Sequence, residues 1–479
     1  MQIRTIAGAV GLALSATLAG AQTPGTPGGP PAPAGALPEK VGGSANIHLV
    51  GHVPLGGYFR VTDADLEQEL TRPYAYVAQS RERAGFSILD LKDLSNIRVL
   101  YRWKIENVAL HRGLGGLRAK YFKLKGRYYV AECFQFAQGT PDNDLGAIIF
   151  DVTGLPDTSK VKVVARIRAP ETPGGFHNLF AYKHSDGRVL LFTTTTSNVA
   201  NIYDMEKLLA GDKDQGLIGK VPVPPGNTRS EVLPGFAPVQ IALQGYHDFY
   251  VGYDPGRAQD KFYGAGGGGY YVYDVTHPEA PKLVTSIVGP AGIAWGHTFT
   301  PSPDGNFAVT ETEYQWAPLR IFDLRPGLEG KVPAITQPTA VWNADWNDLA
   351  HNHEVRWPYV FVSAYEDGLQ IFNMQDPMHP KEKGWYYTCE CTHMSGYGGT
   401  PDFSGQSVYN GAFGVMVRNT DGLIMITDSN TGAWFFKMDG FTGWNGEDWG
   451  MPNISSAQDW DHGPPGARPA TPAKTAASP

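Results

Sequence analysis

Apolar positions along this chain come in short runs, with none of the spacing of a helical stripe. The runs recur from about residue 46 to residue 455, punctuated by Gly, Pro, Asn and Asp, which is the pattern of strands joined by tight turns. Seven of them share one form: four mostly apolar residues, then Asp or a substitute, then Leu, Val or Met. They read FSILDL at Asp90, AIIFDV at Asp151, ANIYDM at Asp204, YYVYDV at Asp274, LRIFDL at Asp323, LQIFNM at Asn373 and AWFFKM at Lys437. The near-continuous apolar stretch predicts a strand covered on both faces. The acidic residue that ends it predicts a turn in which the carboxylate accepts from a backbone N–H two residues on.

Most copies follow a second apolar strand, such as YAYVAQS at 74–80, LLFTTTT at 190–196 or YVFVSAY at 359–365, and several lead through a turn into a further strand. The acidic positions are 61, 53, 70, 49, 50 and 64 residues apart. A unit of four short strands repeated seven times, with no helical segment between, predicts an all-β chain folded as a seven-bladed β-propeller. NIHLVGHVPL at 46–55 resembles the fourth strand of a unit but precedes the first one. It predicts an N-terminal strand that completes the last blade, closes the ring and covers an exposed edge. The chain resembles the LVIVD-repeat proteins, secreted or surface propellers named for this apolar-run-then-Asp strand. The resemblance spans all seven repeats, with Asn373 and Lys437 departing from Asp, and it implies the fold far more than a function.

Composition narrows the picture. Gly and Pro number 58 and 37 of 479 residues and only 18% are charged, which excludes long helical bundles. Residues 1–21 read as a signal peptide, with Arg4, an apolar stretch from Ile6 to Leu18 and the small residues Ala19-Gly20-Ala21. The expected protein is therefore exported, periplasmic or extracellular. Residues 22–45 form a Pro/Gly-rich linker, 46–455 the propeller and 456–479 a disordered C-terminal tail. Net charge is −8 without a basic patch, which argues against nucleic acid as partner, and no apolar stretch is long enough for a membrane span.

Histidines fall in register. His177, His247, His297 and His353 each open a strand that hairpins into the second strand of its repeat, in four consecutive units, and His351 competes with His353 for the fourth place. The first strand of a propeller blade lines the central channel, so these residues converge on the axis. In the second repeat Arg118 or a neighbour takes that place, and the seventh repeat has no histidine there. Neutral imidazoles meeting at a channel mouth suit a transition metal, here Fe or Cu. Glu132, Glu311 and Glu313, with Asp248 and Glu366 as further candidates, are placed to fix the ring tautomers from outside the ligand set. For each histidine alone, a hydrogen bond inside the channel accounts for its presence equally well. The other histidines, His184 among them, read as surface or turn residues. The set is similar in arrangement to the four-histidine iron centre of carotenoid cleavage oxygenases, also seven-bladed, and YHDF at 246–249 echoes that family's motif at His247. Copper-dependent methanethiol oxidases of the selenium-binding type are a second propeller parallel without a shared motif. Both likenesses imply oxidative chemistry.

Cys133, Cys389 and Cys391 are too few for a disulfide framework. Either Cys133 pairs with one of the other two, or Cys389, Cys391 and His393, which alternate onto one strand face, hold a soft metal, or the thiols are buried and free. Long segments at 211–240 and 388–412 read as lids or binding loops, and Trp295, Tyr314, Trp316 and Trp346 are candidates to wall an apolar pocket. No nucleotide-binding, zincin or nucleophile-elbow motif is present. Two functions follow. One is an exported metal-dependent oxidoreductase acting on a small or apolar molecule with O2. The other is a non-catalytic propeller that serves as a protein- or glycan-binding scaffold.

Overall fold

The structure, a computed structural model, describes residues 41–57, 59–171, 174–225, 245–290, 293, 295–313, 317–345, 349–389, 409–445 and 458–464. Seven antiparallel sheets follow one another around a ring, the seven-bladed β-propeller that the repeats predict. In each blade the strands run inner, second, third and outer. Blade 1 is Val61–Leu66, Tyr74–Gln79, Gly85–Asp90 and Arg98–Lys104; blade 2 is Gly113–Leu124, Arg127–Phe136, Leu145–Asp151 and Lys162–Arg168. Blade 3 is Leu179–Lys183, Val189–Thr194, Val199–Asp204 and Leu217–Pro222; blade 4 is Tyr246–Asp254, Gln259–Gly266, Gly269–Asp274 and Lys282–Ile287. Blade 5 is Thr298–Pro301, Phe307–Glu311, Leu319–Asp323 and Ala340–Trp342. Blade 6 runs Asn352–Arg356, Tyr359–Ser363, Leu369–Asn373 and Lys381–Tyr387.

Blade 7 takes three strands from the end of the chain, Ala412–Val417, Ile424–Asp428 and Gly432–Met438. Its outer strand is Ile47–Val53, antiparallel to Gly432–Met438 with Ile47 opposite Met438. The two ends of the ring are thus sewn into one sheet, and the edge each would expose is paired.

The repeated apolar run is the third strand of every blade, and it is covered on both faces: Phe86, Ile88, Ile148, Ile149, Ile202 and Ile321 have no exposed surface. Its terminal acidic residue does what the pattern predicts. Asp90, Asp151, Asp204, Asp274, Asp323 and Asn373 each accept, through Oδ1, the backbone N–H two residues on at 2.7–3.0 Å. In blade 7 the substituted Lys437 instead reaches the carbonyl and carboxylate of Asp421.

Three boundaries differ from the sequence expectation. Gly42–Gly43, inside the stretch read as linker, pairs with Tyr386 and Tyr387 as a fifth strand on blade 6. The segment 211–240 is partly regular, because 217–222 is the outer strand of blade 3. Part of the C-terminal tail docks: Gln458 bonds the backbone of Ala181 and Lys183, Asp461 pairs with Lys123, and Trp460 is buried against Tyr121. Residues 1–40, 226–244, 390–408 and 465–479, which include the expected signal peptide and most of the expected lids, lie outside the described residues. No helix among the described residues is long and apolar enough to cross a membrane.

Candidate metal centre on the propeller axis

The inner strands of blades 3 to 6 begin on the same end of the ring, and each carries a histidine there. Hydrogen bonding at the mouth of each hairpin fixes the register. The N–H of His297 donates to the carbonyl of Glu311, where the second strand of blade 5 ends, and the N–H of His351 donates to that of Ser363, where the second strand of blade 6 ends. His351 therefore holds in blade 6 the place of His297 in blade 5, and His353 lies two residues deeper. In blades 3 and 4 the next residues, Asn178 and Asp248, each cap the following N–H with Oδ1, which aligns His177 with His247.

The four aligned rings form an arc. Ring centroids are 4.2 Å apart for His177 and His247, 3.9 Å for His247 and His297, and 4.9 Å for His297 and His351. His353 turns away, its Nε2 on the carbonyl of Val309 at 3.0 Å. Of the two histidines that competed for the fourth place, the structure brings His351 to the arc.

Three of the four rings are held from outside by Nδ1. That of His177 meets Gln135 Oε1 at 2.9 Å, that of His297 meets Glu311 Oε1, and that of His351 meets the carbonyl of Phe413. An acceptor at Nδ1 selects the tautomer with its proton there and leaves the lone pair on Nε2. On the other side of His297, Glu313 Oε2 lies 3.2 Å from Nε2, and Nε2 of His351 is 3.9 Å from Glu313 Oε1. Nδ1 of His247 is buried without a hydrogen-bond partner, and the ring stands edge-on to Trp295 at 4.7 Å.

The electrostatics keep these rings neutral. Burial and the nearby Arg118 guanidinium hold His177 at about 4, and burial holds His351 at about 3. Burial pushes His247 and His297 well below the usual imidazole range, and neighbouring imidazoles add to the effect. The carboxyls move the other way. Burial lifts Glu313 to about 8 against the hydrogen bond it accepts from Tyr365, and burial with repulsion from Glu313 lifts Glu311 well above the carboxylate range. Among the described residues, no Lys or Arg lies within ion-pairing distance of either carboxyl.

Other residues singled out in the sequence fall elsewhere. Glu132 is fully buried with both oxygens unpartnered, and Oε1 points at Gly116, where an added Cβ would lie 2.3 Å away. Asp248 faces Arg118 instead of an imidazole, and Arg118 also pairs with Asp63. His184 is buried at a hairpin on the opposite end of the ring, with Nε2 3.1 Å from the carbonyl of Val275. Of the alternatives for the cysteines, a Cys133 disulfide is not what forms: Cys133 is free and buried, its Sγ 3.5 Å from the carbonyl of His177, whereas Cys389 is disulfide-bonded. Cys391, His393, Tyr314, Trp316 and Trp346 lie outside the described residues.

Tyr365 is a residue the sequence did not point to. Its hydroxyl donates to Glu313 Oε1 at 2.6 Å and its ring lies 5.0 Å from that of His351. With Phe413, Leu349 and Tyr409 it builds a small apolar cluster against His351.

No protein-family model matches the chain, and no curated protein matches it. Among solved structures, the chain is similar to Raptor of Chaetomium thermophilum, with a TM-score of 0.53 and 11% identity over 82% of this chain. It spans only 29% of the Raptor chain. It is also similar to a chain of the mitotic checkpoint complex, at a TM-score of 0.48 and 11% identity, over 91% of this chain and 99% of that one. At such identity the likeness concerns the fold alone.

Proposed function

We propose that the protein is an exported metal-binding propeller, an oxidoreductase whose histidine arc holds Fe or Cu and acts on a small or apolar substrate with O2 as oxidant. The observation that carries this reading is the outward anchoring of Nδ1 on His177, His297 and His351, which leaves the ε-nitrogens for a shared ligand. Channel histidines that only satisfy the backbone have no reason to share that arrangement; His353, bonded through Nε2 to a carbonyl, is what such a histidine looks like. Metal ligation needs neutral imidazoles, and burial supplies them.

A bound transition metal would contribute Lewis acidity or O2 activation. The chain's own part is to orient and to exclude water. Glu311 sets the tautomer of His297, Gln135 that of His177, and Trp295 with the Phe413–Tyr365 cluster packs apolar side chains against the rings. The LVIVD resemblance and the reading of residues 1–21 support an exported setting.

Metal analysis of the purified protein tests the reading. About one equivalent of Fe or Cu is expected, and it should be lost when His247 and His297 are both changed to Ala with the fold intact. A folded wild-type protein that takes up neither metal on reconstitution sinks the proposal and leaves the scaffold function.

A further inference from the structure

The geometry points to a centre that is not all imidazole: the carboxylate of Glu313 joins His247 and His297 as a ligand, making a two-histidine, one-carboxylate face that takes a divalent ion such as Fe(II) rather than Cu(I). This deepens the metal-centre reading above and rests on it.

Three observations converge. First, one ligand atom each of His247, His297 and Glu313 lie within 4.8 Å of one another, and no other set of three or more His, Cys, Asp or Glu among the described residues is so arranged. Second, the backbone aims the carboxyl there. Glu313 follows the second strand of blade 5 by two residues and is left-handed, with φ of +54°. Arg81, Gly268 and Tyr365 hold the same left-handed place after the second strands of blades 1, 4 and 6. An extended chain would have put Glu313 on the same side as Glu311; the bend places the two carboxyls at opposite nitrogens of one ring, Glu311 at Nδ1 and Glu313 at Nε2 of His297. Third, Tyr365 tethers Oε1 of Glu313 and leaves Oε2 as the oxygen beside His297 Nε2.

Charge agrees with geometry. Among the described residues no Lys or Arg lies within ion-pairing distance of Glu311 or Glu313, so no side-chain cation competes for the site. One oxygen and two nitrogens on one face leave further positions open and suit Fe(II), whereas Cu(I) prefers sulfur. His177 and His351 then flank the ion, beside His247 and His297.

The test uses the full chain with metal alone: anaerobic Fe(II), Co(II) as a spectroscopic probe, and Cu(I) in parallel. Wild type is expected to bind one Fe(II) or Co(II), and Glu313→Gln to weaken both roughly 10- to 100-fold with a changed Co(II) spectrum. His353→Gln, at the ring that turns away from the arc, is the control and should keep the wild-type stoichiometry and spectrum. The inference is overturned if Glu313→Gln binds Fe(II) and Co(II) as wild type does, a result that leaves a centre of imidazoles alone standing. Tighter binding of Cu(I) than of Fe(II) also overturns it. Should Glu313→Gln not fold, Tyr365→Phe carries the test: about a 10-fold loss of Fe(II) affinity supports the ligand role, and no change counts against it. Wild type that binds no metal removes both this inference and the function it rests on.

Discussion

Arg118 reaches from the inner strand of blade 2 to Asp63 in blade 1 and Asp248 in blade 4, so three blades share one buried charge cluster next to the histidine arc. Removing the cation would leave two carboxylates uncompensated in a dry interior. Arg118→Ala is expected to destabilise the fold by about 3–5 kcal/mol, read from urea unfolding. Nearer the surface, Asp421 illustrates a dependence on pH. Burial pushes its carboxyl up, but the hydrogen bonds from Arg418 and Lys437 overcome that and hold it at about 2. A depressed native value means that its contribution is complete above the unfolded value of about 4 and fades as pH falls toward about 2. The stability gap between wild type and Asp421→Asn should therefore be constant near neutrality and shrink between those limits; a gap that widens there contradicts the assignment. At this scale the sequence was partly legible. It placed His177, His247 and His297, and it offered both His351 and His353, because residues two apart share one face of an extended strand and alternation does not choose between them. That Glu313 and Glu311 face opposite sides of His297 was not legible, since a left-handed glutamate leaves no mark in an alternating pattern.

The third strands were the most legible elements, because burial on both faces and the terminal turn are written in adjacent residues. Asp274 caps its turn at Thr276 N–H and also accepts from Gln259, both within its own blade. Asp274→Ala should cost about 1 kcal/mol in chemical denaturation, and Asp274→Asn, which keeps the accepting oxygen as Asn373 does, should cost less. Equal losses for the two would mean that the charge matters more than the turn. The fourth strands were less legible, since their outward faces are half exposed and their lengths vary from three residues, Ala340–Trp342, to seven, Arg98–Lys104. The stretch after Asp204 shows why. A five-residue helix, Met205–Leu209, intervenes before the outer strand of blade 3, and the Gly-rich turn that follows reads like a loop.

Over the whole molecule, the count of blades and the ring-closing strand were readable, whereas the C-terminal contact was not. Pro- and Gly-rich composition describes residues 465–479 but hides a single tryptophan upstream. Trp460 is 6% exposed against Tyr121, on the end of the ring away from the histidine arc. Trp460→Ala should lower stability by about 3 kcal/mol and free the segment to proteolysis, whereas Trp460→Phe, which keeps a ring against Tyr121, should lose less. The closing strand has a further consequence, one of timing. His48 and its partner Asp439 are 391 positions apart, so one of the first strands made waits for one of the last before blade 7 exists. Such distant pairing is slow to form, and until it does the chain is an open arc with two bare sheet edges. A ribosome that stalls short of residue 438 therefore releases a chain whose six complete blades lack the strand that would make them a ring.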